Sequence, residues 1–354
     1  MAYQVTIEPL GEVIQVQEGQ TILDAALRSG LYLPHACSKG VCSACKIQIV
    51  QGDVDIGNAS EFALMDSERS DNQCLACCAT PLSDLVIEAD VDDEPDAEHR
   101  AVNDYQGVVT SIKDLAPNIK SVFLALEGDG IAFQAGQYIN LLIPGIEGGP
   151  RAFSIASPPT SNNVIELNVA LVEGGDATHY IHNELRVGDT LSFSGPYGHF
   201  YLRKSLPEPI LFFAGGSGLS GVKSMIMELV EARDPRPLTL IYGVQRREEA
   251  YYQELFELYA REHPDFTLLL AVNDPDSTQC SDGRWGCLQE LANQHFEGDF
   301  EGNNAYVCGP TDMVDACLTS LIQGRCFEKH IFVENFYNRG SQVDRSKHVL
   351  FKYI

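Results

Sequence analysis

The 354-residue chain has no run approaching the roughly 18 uninterrupted apolar residues that a membrane-spanning helix requires. Its start, MAYQVTIEPL, has neither the basic segment nor the apolar core of a secretory signal, so a cytoplasmic protein is expected. Positive charge is scarce: 24 Lys and Arg stand against 50 Asp and Glu, a net charge of −26. Nucleic acid and anionic membrane both call for a basic face, and neither is expected as a partner. A polyanion can still dock on a basic patch of another protein. The chain also lacks an internal repeat, a low-complexity tract, a Ser/His/Asp constellation and the paired Glu-x-x-His helices of a di-iron oxygenase. What remains is an ordinary globular composition, 44% hydrophobic and 21% charged, at a length that implies two or three domains.

Cysteine is abundant instead. There are eleven, an odd number, in a chain with no export signal, so a metal site or buried thiols are expected rather than a disulfide framework. Six lie within the first 78 residues, three of them in ACSKGVCSAC. Acid is concentrated in the same region. The first hundred residues carry 5 basic and 18 acidic side chains, 5 − 18 = −13, and seven acids crowd between Glu88 and Glu98. This acidic third reads equally well as a docking face and as a solubilising surface.

Three patterns follow one another. YQVTIEP and EVIQVQ alternate as two strands around Gly11. QTILDAALRSG reads as a helix capped by Thr21 and ended by Gly30, and KIQIV and DLVIEAD read as further strands. DVDDEPDAEHR has charge without apolar periodicity and reads as a linker. From Tyr105 to about Leu202 the runs QGVVTSI, SVFLALE, QYINLLI, VIELNVALV and DTLSFSG suggest a small antiparallel barrel, interrupted by a short helix in THYIHNEL. From Pro209 strands and helices alternate (ILFFAGG, a helix from Val222 to Glu231, LTLIYGV, the helix YYQELFELYARE, FTLLLAV, then AYVCGP and the helix MVDACLTSLIQ), which implies a parallel sheet covered by helices. The expected domains are 1–91, an acidic linker 92–103, then 104–204 and 205–354.

Cys37, Cys42 and Cys45 have the spacing C-x4-C-x2-C, the plant-type 2Fe-2S pattern of three thiolates on one loop and a distant fourth. The residues between them (Ser38, Lys39, Gly40, Val41, Ser43 and Ala44) are mostly small, as a loop must be if its N–H groups are to point at an anionic cluster. A zinc site and buried structural thiols are the competing readings. The strand–strand–helix–strand order resembles the β-grasp of plant-type ferredoxins. That family's L-x-C element, followed by proline and a last strand, matches Leu75-Ala76-Cys77 with Pro81, which implies Cys77 as the fourth ligand.

Arg151-Ala152-Phe153-Ser154, after FQAGQYINLLIP, resembles the R-x-Y-S signature of the ferredoxin–NADP reductase superfamily, with Phe in place of Tyr. The resemblance implies that Arg151 meets the diphosphate of FAD, Phe153 stacks on the isoalloxazine ring and Ser154 bonds near N5. It also implies a diphosphate-binding helix start at Gly174, Gly175 and Thr178. ILFFAGGSGLSG places Gly215, Gly216, Ser217 and Gly218 at a strand-to-helix turn where backbone can approach a phosphate. It is similar to the family's G-G-[ST]-G-x-x-P, with Gly221 replacing Pro, which suggests a looser helix start. Cys308, Gly309 and Pro310 match the family's C-G-P turn beside the nicotinamide, and Glu334 and Phe336 its late acidic–aromatic element. Ser154, Cys308 and Glu334 are thereby the expected catalytic residues. The charges after LTLIYGV (Arg246, Arg247, Glu248, Glu249) are mixed; resemblance favours NADH, with NADPH open.

The order of the three modules resembles the reductase components of bacterial multicomponent oxygenases over essentially the whole chain. GDVDIGNASEFALMDSERSD, ACCATP, AGGSGLS and LFKYI are most similar to the reductases of multicomponent phenol hydroxylases. The function implied is electron transfer from NADH through FAD and a 2Fe-2S cluster to a separate di-iron oxygenase. A Rieske ring-hydroxylating dioxygenase or another multicomponent monooxygenase is the alternative partner.

Overall fold

A computed structural model describes residues 2–91, 96–273 and 286–335. The chain divides into two compact units between Asn103 and Asp104.

In the first unit, strands β1 (Ala2–Glu8) and β2 (Glu12–Gln17) form an antiparallel hairpin. Val5, Ile7, Ile14 and Val16 alternate onto the buried face, as a period of two demands. Helix α1 (Ile22–Arg28) follows, then β3 (Lys46–Gln51), β4 (Val54–Asp55), α2 (Asp66–Ser70), β5 (Gln73–Leu75), β6 (Thr80–Pro81) and β7 (Leu85–Glu88). The main sheet has the order β2-β1-β7-β3-β5, with β7 parallel to β1, and β4 and β6 make a separate small pair. Thr21 caps α1 as expected, its hydroxyl accepting from the Asp24 N–H at 3.3 Å. The Asp24 carboxylate turns to Gln20 and Arg28 instead. Of the expected linker, 92–95 lie outside the described residues. Val102 is buried in this unit, its N–H donating to Leu27 O at 3.0 Å.

The second unit begins with a six-stranded antiparallel sheet: β8 (Asn103–Ala116), β9 (Ile119–Leu126), β10 (Tyr138–Leu142), β11 (Arg151–Ser154), β12 (Val164–Ala170) and β13 (Thr190–Tyr197), with α3 (Asp176–Asn183) between the last two. The order is β11-β10-β13-β8-β9-β12, and an antiparallel bridge from Ile155 to Leu167 joins the two edges into a barrel. Isoleucine, leucine, valine and phenylalanine from every strand except β11 fill its interior, with Phe153 of β11 half-buried against them.

The chain continues as β14 (Ile210–Gly215), α4 (Leu219–Ala232), β15 (Leu238–Val244), α5 (Gln253–Glu262), β16 (Phe266–Val272), α6 (Gly286–His295), β17 (Asn304–Gly309), α7 (Thr311–Gln323) and β18 (Ile331–Asn335). All neighbouring strands are parallel, in the order β16-β15-β14-β17-β18. Strands β14, β15 and β17 are buried along their whole length, which explains their continuous apolar runs. The strand order reverses between β14 and β17, and a crevice opens at such a point beyond the carboxyl ends of the strands. Among the described residues no helix is long and apolar enough to cross a membrane.

Candidate functional site

The cysteine loop is shaped by its backbone. Ser38, Gly40 and Ser43 all take positive φ, and a Cβ on Gly40 would fall 2.6 Å from Cys78 Sγ, so that position admits no side chain. The Ser60 N–H donates to Gly40 O at 3.0 Å and the Ser43 hydroxyl to Ala63 O, which hold the loop against residues 58–63. The fourth cysteine comes from the turn Leu75–Ala79. The first N–H groups of α1, from Ile22 and Leu23, donate to Ala79 O and Ala76 O, and the Ala76 N–H donates to Cys45 O at 2.8 Å. The turn is thus clamped between a helix start and the loop it must face.

The four expected ligands meet in two pairs, and Cys78 Sγ also lies 3.7 Å from Cys77 Sγ. Cys42 donates to Cys37, whose pKa falls to about 5 chiefly through that bond, helped by the N–H groups of Lys39, Val41 and Cys42. Cys77 donates to Cys45, whose pKa falls for the same first reason, while those of Cys42 and Cys77 rise. Among the described residues, no three histidine, cysteine or carboxylate groups close on a single metal position. Cys74 and Cys77 form a second C-x2-C beside Cys42 and Cys45, the paired spacing of a zinc site. The fold breaks that pairing. Cys74 is fully buried in β5, its thiol pushed up to about 12 chiefly by burial, and it is Cys77 that reaches Cys45. Each pair holds one thiol whose pKa is lowered, and two pairs match two irons with two sulfur ligands each, so the residues present fit a 2Fe-2S cluster.

In the barrel, Arg151 and Phe153 share one face of β11 and Ser154 lies on the other. Arg151 Nη1 donates to Gly148 O and Gly149 O, at 3.0 and 2.5 Å. Tyr138 is the register partner of both Ser154 and Tyr197, and the two tyrosine rings stack at 5.6 Å. Tyr138 lies in FQAGQYINLLIP, where sequence reasoning assigns it no role. Helix α3 starts where expected. Gly175 is its N-cap, and the Thr178 hydroxyl donates to Gly175 O at 3.1 Å and accepts from the Val172 N–H.

At the switch point, Gly216–Gly218 form one turn of 3₁₀ helix leading into α4. A Cβ on Gly218 would lie 2.3 Å from Cys308 O, so glycine alone lets the two expected nicotinamide elements touch. Cys308 and Gly309 end β17, and Pro310 caps α7, its carbonyl accepting from the Met313 and Val314 N–H groups. Two helix N-termini therefore flank one crevice, an arrangement suited to phosphate. Gly221 does not loosen the start of α4, as its replacement of proline suggested. The helix is regular from Leu219, and the bare Gly221 Cα allows the backbone of Gly136 to approach to about contact. Register places Glu334 opposite Cys308. Burial pushes the Glu334 carboxyl up to about 7 and holds the Cys308 thiol well above its usual range, the latter aided by the Glu334 charge. Tyr251, which sequence reasoning missed, donates its hydroxyl to Gly216 O at 2.8 Å and fixes the turn. Phe336 lies outside the described residues.

These elements define a class: an iron–sulfur flavoprotein with a nicotinamide-binding parallel sheet. Residues 5–82 match the 2Fe-2S iron-sulfur cluster binding domain, 106–201 the oxidoreductase FAD-binding domain and 212–319 the oxidoreductase NAD-binding domain. The chain is 52% identical, over 100% of both sequences, to the reductase component of phenol 2-monooxygenase from Pseudomonas sp. strain CF600. It is 48% identical, again over 100% of both, to the phenol hydroxylase P5 protein of Acinetobacter pittii strain PHEA-2. Among solved structures, the Amycolatopsis cytochrome P450 reductase aligns with a TM-score of 0.84 at 30% identity, over 94% of this chain and 98% of that one. The ferredoxin reductase of carbazole 1,9a-dioxygenase shares the fold with a TM-score of 0.80, over 95% and 99% of the two chains. The chain belongs to the family of phenol hydroxylase reductase components.

Proposed function

We propose that this chain takes electrons from NADH and delivers them, through FAD and a 2Fe-2S cluster, to the oxygenase component of a multicomponent phenol hydroxylase in the cytoplasm. When bound, the flavin accepts a hydride and releases electrons singly, and the cluster passes single electrons onward. The rest is positioning. Cys37 and Cys42 would hold one iron, and Cys45 and Cys77 the other. Arg151 and the α3 start at Gly174, Gly175 and Thr178 bind the flavin diphosphate. Phe153 would stack on the flavin ring and Ser154 would bond near its reactive nitrogen. Gly215, Gly216, Ser217 and Gly218 bind the dinucleotide phosphates, while Cys308, Gly309, Pro310 and Glu334 shape the nicotinamide pocket. One domain serves each cofactor: 1–91, 104–204 and 205–354, with 92–103 as linker.

The observation that carries this reading is the contact of Gly218 with Cys308 at the switch point, in a chain that also pairs Cys37 with Cys42 and Cys45 with Cys77. For the dinucleotide, Glu249 is held at the end of β15 by the Gln245 N–H at 3.3 Å, where a carboxylate suits a ribose hydroxyl better than a phosphate. The test is anaerobic addition of stoichiometric NADH to the loaded protein. Bleaching of both flavin and cluster absorbance is expected, and bands that stay oxidised refute the reading. Turnover with purified oxygenases separates phenol hydroxylase from a Rieske dioxygenase partner. The acid-rich first hundred residues serve as the docking side. Electron delivery that falls steeply with salt supports this, and a flat response counts against it.

A further inference from the structure

A charged pair lies enclosed where the barrel meets the nucleotide sheet. Lys223, in the second turn of α4, and Glu166, on β12, are each only 5% exposed, with Nζ and Oε2 2.8 Å apart. The ammonium also donates to Ala156 O at 3.0 Å and sits 4.6 Å from the centre of the Tyr252 ring. The other carboxylate oxygen accepts from the Ser121 hydroxyl at 2.7 Å and from the Tyr252 hydroxyl. Burial and the adjacent Glu166 charge keep that phenol protonated, which fixes it as the donor. Around the pair, the Glu166 N–H donates to Ser157 Oγ, and Ser224 Oγ donates to Ser157 O at 2.7 Å. Tyr252 adopts a left-handed backbone (φ 58°), rare for a bulky side chain and sustained only where surroundings enforce it.

The placement of this network is informative. Ala156 lies two residues beyond Ser154, on the segment that leaves the flavin strand. Lys223 lies five residues beyond Gly218, on the helix that the glycine turn opens. Tyr252 follows Tyr251, whose hydroxyl clamps Gly216. One set of side chains therefore touches the flavin-side strand, the nicotinamide-side helix and the brace of the turn between them. Apolar packing already joins the two domains through Phe200, Leu219, Val222 and Met225, so adhesion does not require a buried charge pair. A buried pair is a poor source of stability, because desolvation offsets its attraction, but it is intolerant of displacement.

We propose that Lys223, Glu166 and Tyr252 are positioning residues for hydride transfer, setting the register of the glycine turn against the flavin-bearing strand. This rests on the flavin–nicotinamide reading above. A displacement of about 1 Å at such a junction can cost a reaction about a hundredfold.

The test compares wild type with Lys223→Met, Glu166→Gln, the Lys223→Met/Glu166→Gln pair and Tyr252→Phe, all as loaded protein. Four quantities are read: melting temperature, NADH affinity, the anaerobic rate of flavin bleaching, and amide exchange over 216–224 without NADH. Each single charge variant strands a buried group and should lose both stability and rate. The double variant strands no charge and should regain much of the melting temperature. Its bleaching rate should stay at least about tenfold low, with near-normal NADH affinity and faster amide exchange at the turn. Tyr252→Phe, which removes one hydroxyl, should slow bleaching about threefold without loss of fold. Recovery of the rate together with stability in the double variant would overturn the proposal. So would an unchanged rate in Tyr252→Phe, which decides the matter if the double variant does not fold. Failure of wild type to bleach would overturn the reductase reading itself, a result distinct from either.

Discussion

The same residue type meets opposite treatment in two regions of this protein. In the loop around Cys37, two thiols are partly exposed and Cys45 is buried, and Cys37 and Cys45 gather hydrogen bonds from neighbouring thiols and backbone N–H groups, which favour the thiolate. In the nucleotide sheet, Cys308 and Cys317 are fully enclosed, and burial holds both thiols well above their usual range. The first setting prepares sulfur to bind metal, and the second uses it as a small apolar filler or as the wall of a pocket. Cysteine count therefore says little by itself. What distinguishes the two regions is whether polar donors or carbon surround the sulfur.

The contrast is broken most severely at Cys77. Cys77→Ser should abolish the visible cluster bands and electron delivery to a one-electron acceptor, while flavin content and flavin bleaching by NADH persist. Cys78→Ala, although adjacent, should keep the cluster spectrum. If Cys78→Ala loses the cluster and Cys77→Ser keeps it, the pairing with Cys45 has been misassigned.

Gly218→Ala attacks the second region through crowding. Its methyl group would lie 2.3 Å from Cys308 O, too close for either backbone to remain in place. A cost of about 1–3 kcal/mol in stability is expected, together with about a hundredfold slower flavin bleaching by NADH. Chemical reduction of the cluster by dithionite should be unchanged. A normal rate with NADH would mean that the glycine turn is not the nicotinamide site.

Glu334 gives a smaller, pH-dependent effect. Burial raises its folded pKa to about 7 from an ordinary 4.5, so between those values the folded protein holds a proton that the unfolded chain releases. The stabilisation is complete below about pH 4.5 and is lost as pH rises through 7. Glu334→Gln cannot titrate. Measured by denaturant melts, the stability of wild type relative to this variant should decline by about 1–3 kcal/mol between pH 4.5 and 8. Parallel curves for the two proteins would show that the carboxyl is not held in a dry site.

Much of this was legible in sequence because chemistry dictated it. Cys37, Cys42 and Cys45 had to sit on a short loop of small residues, and continuous apolar runs such as ILFFAGG could belong only to strands covered on both faces. The cap at Thr21 followed from a local signal, and the helix read in THYIHNEL began two residues earlier than expected, at Asp176. The short elements β4, β5, β6 and α2 carried too few residues for any period to show, and Gly286–His295 was passed over as a helix. Gly221 was misread because a missing proline looks like a local weakness, while its use is a close approach to Gly136 from another part of the chain. Glu166 and Lys223 were invisible for a related reason. Each lies within a pattern that permits a solvent-facing charge, and only tertiary structure places one against the other.

Cys317 sharpens the comparison from its quiet end. It lies on α7 in the apolar cluster beneath β17, with Leu318, Leu321 and Val314 around it, and burial alone shifts its thiol. Removing the sulfur should leave only a cavity of roughly one methyl group. Cys317→Ala should therefore cost about 1 kcal/mol in a denaturant melt, with cluster bands, flavin content and NADH-driven bleaching all unchanged. Serine at the same place is the control, since a hydroxyl there would be buried without a planned partner and should cost more than the cavity does. If the alanine variant instead lost cluster or flavin, this enclosed thiol would have a chemical role, and carbon surroundings would no longer divide the two kinds of cysteine.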